Sequence, residues 1–197
     1  MTGSELPAEA TPFLLWLAFK GVVTRDEIAG RWTDEPGVDK LVEQLLAAGM
    51  IGEADGTIYL DDSGDDLLRD ACYGALTDSE RQAVAAFVER FEPIDMSLKQ
   101  AVTRWQGAQH RTGSLDKEAL AVVDDWMGLH SQLHEAISSS EPVVSKILES
   151  HLGGLDDALE RFVDGDIEAF SGGEDDSYHS RWFVMHELIL RTIGTRR

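Results

Sequence analysis

The order of the elements that the first 64 residues predict constrains the fold of this chain more than any other feature. The apolar run 11–20 indicates a short helix, with Thr11 as its N-cap. Thr24 and Glu27 have the spacing of a capping box, which predicts a second short helix that ends near Trp32. This region therefore begins with two short helices.

A third helix and a hairpin follow in the same region. Pro36 precedes a run in which apolar residues recur at helical spacing. Asp55 and Gly56 form a typical turn pair between two short β-prone runs, 50–53 and 57–60. Three short helices followed by a hairpin is the order of a winged helix, and we expect that fold here.

The rest of the chain predicts helices alone. Pro93 indicates a break between two of them, and residues 107–113 indicate a polar loop. Asp65 follows the hairpin with no room for a flexible linker. We therefore expect a mainly α protein, with a winged-helix domain over 1–64 packed on an antiparallel helical bundle over 65–197. The predicted helices after the hairpin cover residues 65–76, 77–91, 95–106, 115–138, 140–163 and 176–193.

The charge of the predicted winged helix is unsuited to DNA. Its 64 residues carry four basic and twelve acidic side chains, and the whole chain has a formal net charge of −20. The predicted recognition helix contributes only Lys40, which is flanked by Glu35, Asp39 and Glu43. Because phosphate contacts require Lys and Arg, we expect nucleic acid to be disfavoured and partners to be basic, cationic or apolar.

Cysteine content and hydropathy exclude further classes of protein. Cys72 is the only cysteine, which excludes an intrachain disulfide and a cluster of thiolate metal ligands. The start of the sequence is polar and acidic, and no apolar run approaches the roughly 20 residues of a membrane span. We therefore expect a cytoplasmic protein without membrane association.

Histidines on otherwise apolar helix faces form the clearest candidate site. His130 and His134 lie one helical turn apart, and His186 falls on the apolar stripe of the last helix. We expect these three side chains to face the interior of the bundle, with Glu187, Glu135 or Tyr178 as hydrogen-bond partners. The cavity that we expect is lined by His130, His134, His151, His179 and His186, beside Trp126 and Trp182.

Histidines in such positions have several possible roles, which stay open at this point. They can ligate a metal, bind a small ligand, titrate as a switch, or be buried with ordinary hydrogen-bond partners. A dinuclear iron bundle would need Glu-x-x-His pairs, which do not occur, and a metalloprotease helix would need Glu where Ser131 follows His130. We therefore assign no metal ligand and no catalytic residue, and the sequence does not identify a cofactor.

A second group of polar side chains lies within residues 97–106. Lys99, Arg104 and Trp105 place two cations and an aromatic ring on one predicted helix. These residues could bind an anionic ligand, or they could form surface ion pairs and packing contacts.

Two short motifs resemble a known family. The segments SLKQAVTRWQ (97–106) and DSYHSRWFVMHE (176–187), behind a predicted winged helix, resemble a family of uncharacterised bacterial proteins. In that family a small winged helix precedes a helical domain, and some members are associated with phosphoenolpyruvate-utilising enzymes related to pyruvate phosphate dikinase. The resemblance implies a regulatory or accessory role and supplies no catalytic residues. It places any ligand among Lys99, Arg104, Trp105, Tyr178, His179, Trp182, His186 and Glu187.

Three functional hypotheses are compatible with the sequence. We favour a non-enzymatic regulatory or adaptor protein, whose winged helix makes protein contacts or dimerises and whose helical domain senses a small ligand. The alternatives are a transcriptional regulator that binds DNA as a dimer, and a helical bundle with its own ligand or metal chemistry. Because Phe13, Trp16 and Phe19 crowd the first helix, we expect a homodimer, and burial of these rings against the bundle is the competing explanation.

Overall fold

The computed structural model describes residues 10–32, 37–112, 117–172 and 176–195, and they form a mainly helical protein with a small antiparallel sheet. The described residues up to Thr77 form one compact unit together with those from His186 onward, here called the sheet unit. Residues from Asp78 to Met185 form the other, here called the helical unit. The elements are α1 (Ala10–Lys20), β1 (Val22–Thr24), α2 (Arg25–Arg31), α3 (Val38–Ala47), β2 (Ile51–Ala54), β3 (Thr57–Leu60), α4 (Asp62–Tyr73), α5 (Asp78–Thr112), α6 (Lys117–Ser138), α7 (Pro142–Val163), α8 (Glu168–Ser171) and α9 (Tyr178–Thr192).

The sheet has the antiparallel order β1-β3-β2. Asp55 and Gly56 have φ angles of 51° and 78°, which a two-residue turn between β2 and β3 requires, so the predicted hairpin is confirmed. Strand β1 was not predicted, because three residues are too few to show a strand pattern. It forms because Val23 pairs with Ile58, and both side chains are buried.

The predicted start of α2 is confirmed in detail. The Glu27 backbone N–H donates to Thr24 Oγ1 at 3.2 Å, and the Thr24 backbone N–H donates to Glu27 Oε2 at 2.8 Å. These two bonds satisfy donors that the first turn of a helix leaves unpaired. Helix α3 buries the predicted apolar residues Leu41, Val42 and Leu45, while Pro36, its predicted start, lies outside the described residues.

The sheet unit differs in extent from the predicted domain of residues 1–64. Helix α4, which the sequence assigned to the bundle, contacts α1, and the end of α9 belongs to the same unit. The Arg191 guanidinium on α9 lies 2.6 Å from the Asp65 carboxylate on α4. Gly64 allows the close start of α4, because a side chain there would collide with the Met50 carbonyl oxygen. Helix α4 therefore belongs to the sheet unit, because it packs on α1 and forms this ion pair with α9.

The predicted helix break at Pro93 is wrong. Helix α5 runs without interruption through Pro93, although proline cannot donate the usual backbone hydrogen bond. Phe91, Ile94 and Leu98 are all buried, so the apolar stripe keeps its helical phase on both sides of the proline. The burial of these three side chains outweighs the cost of the backbone hydrogen bond that is lost at Pro93. Pro93 itself is exposed.

Other helix ends differ from prediction by a few residues or more. Helix α5 continues through most of the predicted loop and ends at Thr112, whereas Leu115, the predicted start of α6, lies outside the described residues. Helices α7 and α9 lie within two residues of their predicted bounds. Among the described residues, no helix combines the length and the apolar character that crossing a membrane requires.

The aromatic residues of α1 are largely buried in the chain itself. Phe13 is 0% and Trp16 3% exposed, while Phe19 is half-buried. The Phe13 ring lies 6.1 Å from the rings of both Trp16 and Trp32. The apolar surface from which we predicted a homodimer is therefore buried intramolecularly, and Phe13 and Trp16 give the dimer no support.

Candidate functional site

Two histidines and one aspartate meet between α6 and α7 of the helical unit. His130 and His134 lie one turn apart on α6, and their ring centroids are 4.7 Å apart. The Nε2 atoms of His130 and His134 lie 3.1 and 2.7 Å from the same carboxylate oxygen, Asp156 Oδ1 of α7. One potential ligand atom from each of the three residues lies within 4.8 Å of the others. We call these three residues the His–Asp cluster.

Tyr178, at the start of α9, holds the other side of the His130 ring. Its hydroxyl oxygen lies 3.1 Å from His130 Nδ1, and its side chain is 0% exposed. Burial raises the pKa of Tyr178 well above that of a free phenol, so the hydroxyl keeps its proton. The hydrogen bond therefore directs Nδ1 towards Tyr178 and Nε2 towards Asp156.

The two histidines of the cluster differ in their exposure to solvent. The His130 side chain is 11% exposed, whereas those of His134 and Asp156 are 42% and 46% exposed. Burial lowers the pKa of His130, the neighbouring His134 lowers it further, and Asp156 offsets part of this shift. At neutral pH the His130 ring is therefore neutral and can act as hydrogen-bond partner or ligand, while the cluster stays open to solvent on one side.

The predicted core face of α6 is only partly correct. Met127, at helical spacing from His130 and so on the face that we expected to be buried, is 44% exposed, and His134 is half-buried. The buried positions are instead occupied by Trp126, Leu133 and other apolar residues one position away from the predicted stripe. The larger apolar surface of Trp126 sets the rotation of the helix, so the histidines lie at the boundary of the core.

His179 and His151 have other described neighbours in the helical unit. The His179 ring lies 4.8 Å from the Phe183 ring, and burial lowers the pKa of His179. Burial also lowers the pKa of His151, and the positive charge of Arg181 adds to this effect. His186 is half-buried and belongs to the sheet unit. Within the helical unit, the described contacts therefore bring His130 and His134 together, while the expected cavity lined by five histidines stays a prediction.

Lys99 and Trp182 meet at a different place in the helical unit. The Trp182 indole N–H donates to Asp95 Oδ1 at 2.9 Å, and Lys99 Nζ donates to Asp95 Oδ2 at 2.6 Å. Trp182 is 0% and Asp95 6% exposed, whereas the Lys99 side chain is 44% exposed. Lys99 and Trp182, both predicted site residues, thus donate hydrogen bonds to the buried Asp95 carboxylate on α5.

Arg104 and Trp105 point to different surroundings. The Arg104 guanidinium donates to Asp125 Oδ2 at 2.6 Å in an exposed ion pair. Trp105 is 3% exposed, and its ring lies 5.1 Å from Phe170 and 5.6 Å from Phe162. The packing and ion-pair interpretation of this segment therefore accounts for the contacts of both residues.

Glu187 belongs to a buried charge group in the sheet unit. Arg191 Nη2 lies 2.8 Å from Glu187 Oε1 and 2.6 Å from Asp65 Oδ1, and the Arg191 and Glu187 side chains are 4% and 1% exposed. Neither Glu187 oxygen accepts a hydrogen bond of normal geometry within the described chain, so this contact is an ion pair alone. A cavity of about 330 Å³ adjoins the group and is lined also by Asp61 and Asp62.

The sequence missed the carboxylates that complete each polar group. Asp156, Asp95 and Asp65 were treated as surface residues or not considered, although each accepts from a predicted site residue or from Arg191. The signal for Asp156 is weak, because Asp156 and Asp157 are adjacent and equally acidic. Only the packing of α7 on α6 selects one of them.

No model of a known protein family, no curated protein and no solved structure matches this chain.

Proposed function

We propose that this chain is a non-enzymatic regulatory or adaptor protein whose N-terminal part is a winged helix used for protein contact. The order α1, β1, α2, α3, β2, β3 and the sheet order β1-β3-β2 support the winged helix. The acidic composition of this part supports protein contact over DNA binding.

The ion pairs of Arg25 with Glu43 and Glu53 are the main support for this proposal. Arg25 begins α2, and its guanidinium donates to Glu53 Oε1 and Oε2 at 3.1 and 2.8 Å. It also donates to Glu43 Oε1 on α3 at 3.2 Å. A winged helix would present α3 and the hairpin to DNA, and there this cation is already neutralised by two carboxylates. Asp39 adds further negative charge to the exposed side of α3, where Lys40 is the one cation in the described helix.

The edge of the sheet supplies an apolar surface for a protein partner. Val22 on β1 and Tyr59 on β3 are cross-strand partners, and they are 58% and 36% exposed. Strand β1 is at the edge of the sheet, so its outer backbone groups are not engaged by another strand of this sheet. An exposed apolar pair beside an edge strand is typical of a surface to which a protein segment binds.

The helical unit supplies the second part of the proposal, a site at which a small ligand is sensed. The His–Asp cluster is half-open to solvent and is held from behind by the buried Tyr178 hydroxyl. The family that the two sequence motifs resemble implies the same regulatory or accessory role. No nucleophile is activated by a neighbouring base among the described contacts of the cluster, which favours binding over catalysis.

A DNA-binding titration tests whether the proposed winged helix serves protein contact and not DNA binding. We expect a fluorescent mixed-sequence duplex to show no saturable anisotropy change with the wild type at physiological salt. The variant Glu43→Lys with Glu53→Lys frees Arg25 and adds two cations, so we expect it to gain weak binding that falls steeply with salt. Sequence-specific wild-type binding at nanomolar concentration would contradict the proposal and favour the alternative of a DNA-binding transcriptional regulator.

The mass of the particle in solution tests the homodimer, which we propose forms through the sheet edge. Light scattering after gel filtration should give twice the chain mass for the wild type and the chain mass for Val22→Lys. Leu120→Lys is the matched control, because Leu120 is 52% exposed in the helical unit. A monomeric wild type, or a dimeric Val22→Lys variant, would contradict this interface.

A further inference from the structure

We propose that the His–Asp cluster binds a divalent transition-metal ion through His130 Nε2, His134 Nε2 and Asp156 Oδ1. The inference names the ligand of the sensing site in the proposed function and rests on that function only for its role in regulation. The geometry of the three residues supports the binding itself.

The three donor atoms already face one another. The Nε2 atoms of His130 and His134 lie 3.1 and 2.7 Å from the same carboxylate oxygen, Asp156 Oδ1, and one potential ligand atom from each residue lies within 4.8 Å of the others. A tetrahedral ion at about 2.0–2.1 Å from each donor requires separations of roughly 3.3 Å between the donors. Small changes of side-chain torsion angle are therefore sufficient, with no movement of α6 or α7.

The helices fix where the donors lie. His130 and His134 are at positions i and i+4 of one helix, so their rings project from the same face. Asp156 comes from the middle of α7, which packs on α6. A site whose ligands come from the interiors of two packed helices is more rigid than one built on loops.

Tyr178 is a positioning residue of this site. A histidine that ligates a metal through Nε2 carries its proton on Nδ1 and donates it to an outer partner, which fixes the orientation of the ring. The Tyr178 hydroxyl oxygen lies 3.1 Å from His130 Nδ1 and is completely buried, so it can accept this bond. The bond orients the His130 ring with Nε2 towards the other two donors.

The donor set selects the class of ion. Two imidazole nitrogens and one carboxylate oxygen suit Zn²⁺, Co²⁺, Ni²⁺ or Fe²⁺, whereas Mg²⁺ and Ca²⁺ prefer oxygen ligands throughout. The exposed sides of His134 and Asp156 leave room for water at a remaining position. The negative charge of the chain further favours cations near its surface.

Hydrogen bonds alone give a competing account of the same geometry. In that account both Nε2 atoms carry a proton and donate to Asp156, and His130 Nδ1 accepts a hydrogen bond from the Tyr178 hydroxyl. Metal binding reverses the His130 tautomer, because both Nε2 atoms must then be unprotonated. The two accounts therefore differ in the position of a proton that nitrogen NMR detects.

The test is a calorimetric titration of the full chain with Zn²⁺ near neutral pH, with Mg²⁺ as the control ion. We expect one Zn²⁺ per chain and no comparable binding of Mg²⁺. Asp156→Asn and His134→Gln should each weaken Zn²⁺ binding at least about tenfold, and Tyr178→Phe should weaken it by about 10-fold or more through loss of ring orientation. Asp157→Asn is the matched control, because it removes the same charge from the adjacent exposed position and should leave the affinity within about twofold.

His134 and Asp156 are both more than two-fifths exposed, so their variants should keep the wild-type circular dichroism. NMR should also show the His130 proton on Nδ1 when Zn²⁺ is bound. Absence of stoichiometric Zn²⁺ binding, or equal affinities of Asp156→Asn and Asp157→Asn, would overturn the metal site. Those results would leave the regulatory proposal standing, because the DNA and mass measurements test it without added metal.

Discussion

Arg191 and Asp65 form an ion pair of 2.6 Å that joins the last turn of α9 to the first turn of α4 within the sheet unit. The Arg191 side chain is 4% exposed, and it also lies 2.8 Å from the buried Glu187 carboxylate. A cation thus lies between two carboxylates in a place largely closed to water. Removal of one member leaves the others without compensation, which is the costly way to disturb a buried ion pair.

The first prediction concerns this charge group. Arg191→Met should lower the free energy of unfolding by about 3–5 kcal/mol, because Glu187 and Asp65 would be left close together without a cation. The double variant Glu187→Leu with Arg191→Met should recover a large part of this loss. Urea denaturation monitored by circular dichroism measures both. A single variant as stable as the wild type would show that the ion pair is not a structural requirement.

The second prediction compares two tryptophans of the helical unit that are both 0% exposed. The Trp182 indole N–H donates to the Asp95 carboxylate at 2.9 Å, whereas the partner of Trp126 is the neutral Tyr178 hydroxyl, outside normal hydrogen-bond geometry. Trp182→Phe should therefore destabilise the protein by about 1.5–3 kcal/mol more than Trp126→Phe, since it removes a hydrogen bond to a carboxylate. Chemical denaturation of the two variants side by side gives the difference. Equal losses would mean that this hydrogen bond contributes nothing to stability.

The third prediction follows from the uninterrupted α5. Pro93→Ala restores a backbone N–H in the interior of the helix at an exposed position. It should raise the free energy of unfolding by about 1–3 kcal/mol, within the cost of a proline in a helix interior. The measurement is the melting temperature of the two proteins, followed by the circular dichroism signal of the helices. A lower melting temperature would indicate that the residues around Pro93 have adapted to a bend that alanine does not keep.

The fourth prediction concerns pH. Burial lowers the pKa of His151 below its ordinary value of 6.5, and His179 shifts in the same direction. The unfolded chain therefore takes up protons before the folded one does. The stability contribution of His151 is complete above about pH 6.5 and is lost as the pH falls through that value towards the lowered folded-state pKa.

The variant His151→Leu tests the pH effect. The wild type should lose stability between about pH 7 and pH 5, and the loss in His151→Leu should be smaller, because leucine takes up no proton. Urea midpoints at a series of pH values give the two slopes. Equal slopes for the wild type and the variant would contradict a role of His151 in acid sensitivity.

Local signals in the sequence were sufficient for most of the secondary structure. The capping box of Thr24 and Glu27 and the Asp55-Gly56 turn are confirmed because each depends on residues that are close in the chain. The failures depend on contacts between distant residues. Pro93 stays in a helix because Ile94 and Leu98 are buried. Their burial depends on residues distant in the chain, so the helix propensities of neighbouring residues could not predict it.

The candidate site shows the same division. The spacing of His130 and His134 predicted that their rings would meet, and the rings lie 4.7 Å apart. The third member, Asp156, comes from another helix and could not be distinguished from its neighbour Asp157 by sequence. The large ring of Trp126 rotates α6 by about one position from the predicted phase, which places His134 at the surface.

X-ray absorption at the zinc edge, on the protein loaded with one equivalent of Zn²⁺, tests the central claim most directly. The account predicts a shell of nitrogen and oxygen at about 2.0–2.1 Å with the outer scattering of two imidazole rings, and the loss of one ring in His134→Gln. A shell of oxygen atoms alone, or a spectrum that is the same for the wild type and His134→Gln, would contradict a metal site at the His–Asp cluster.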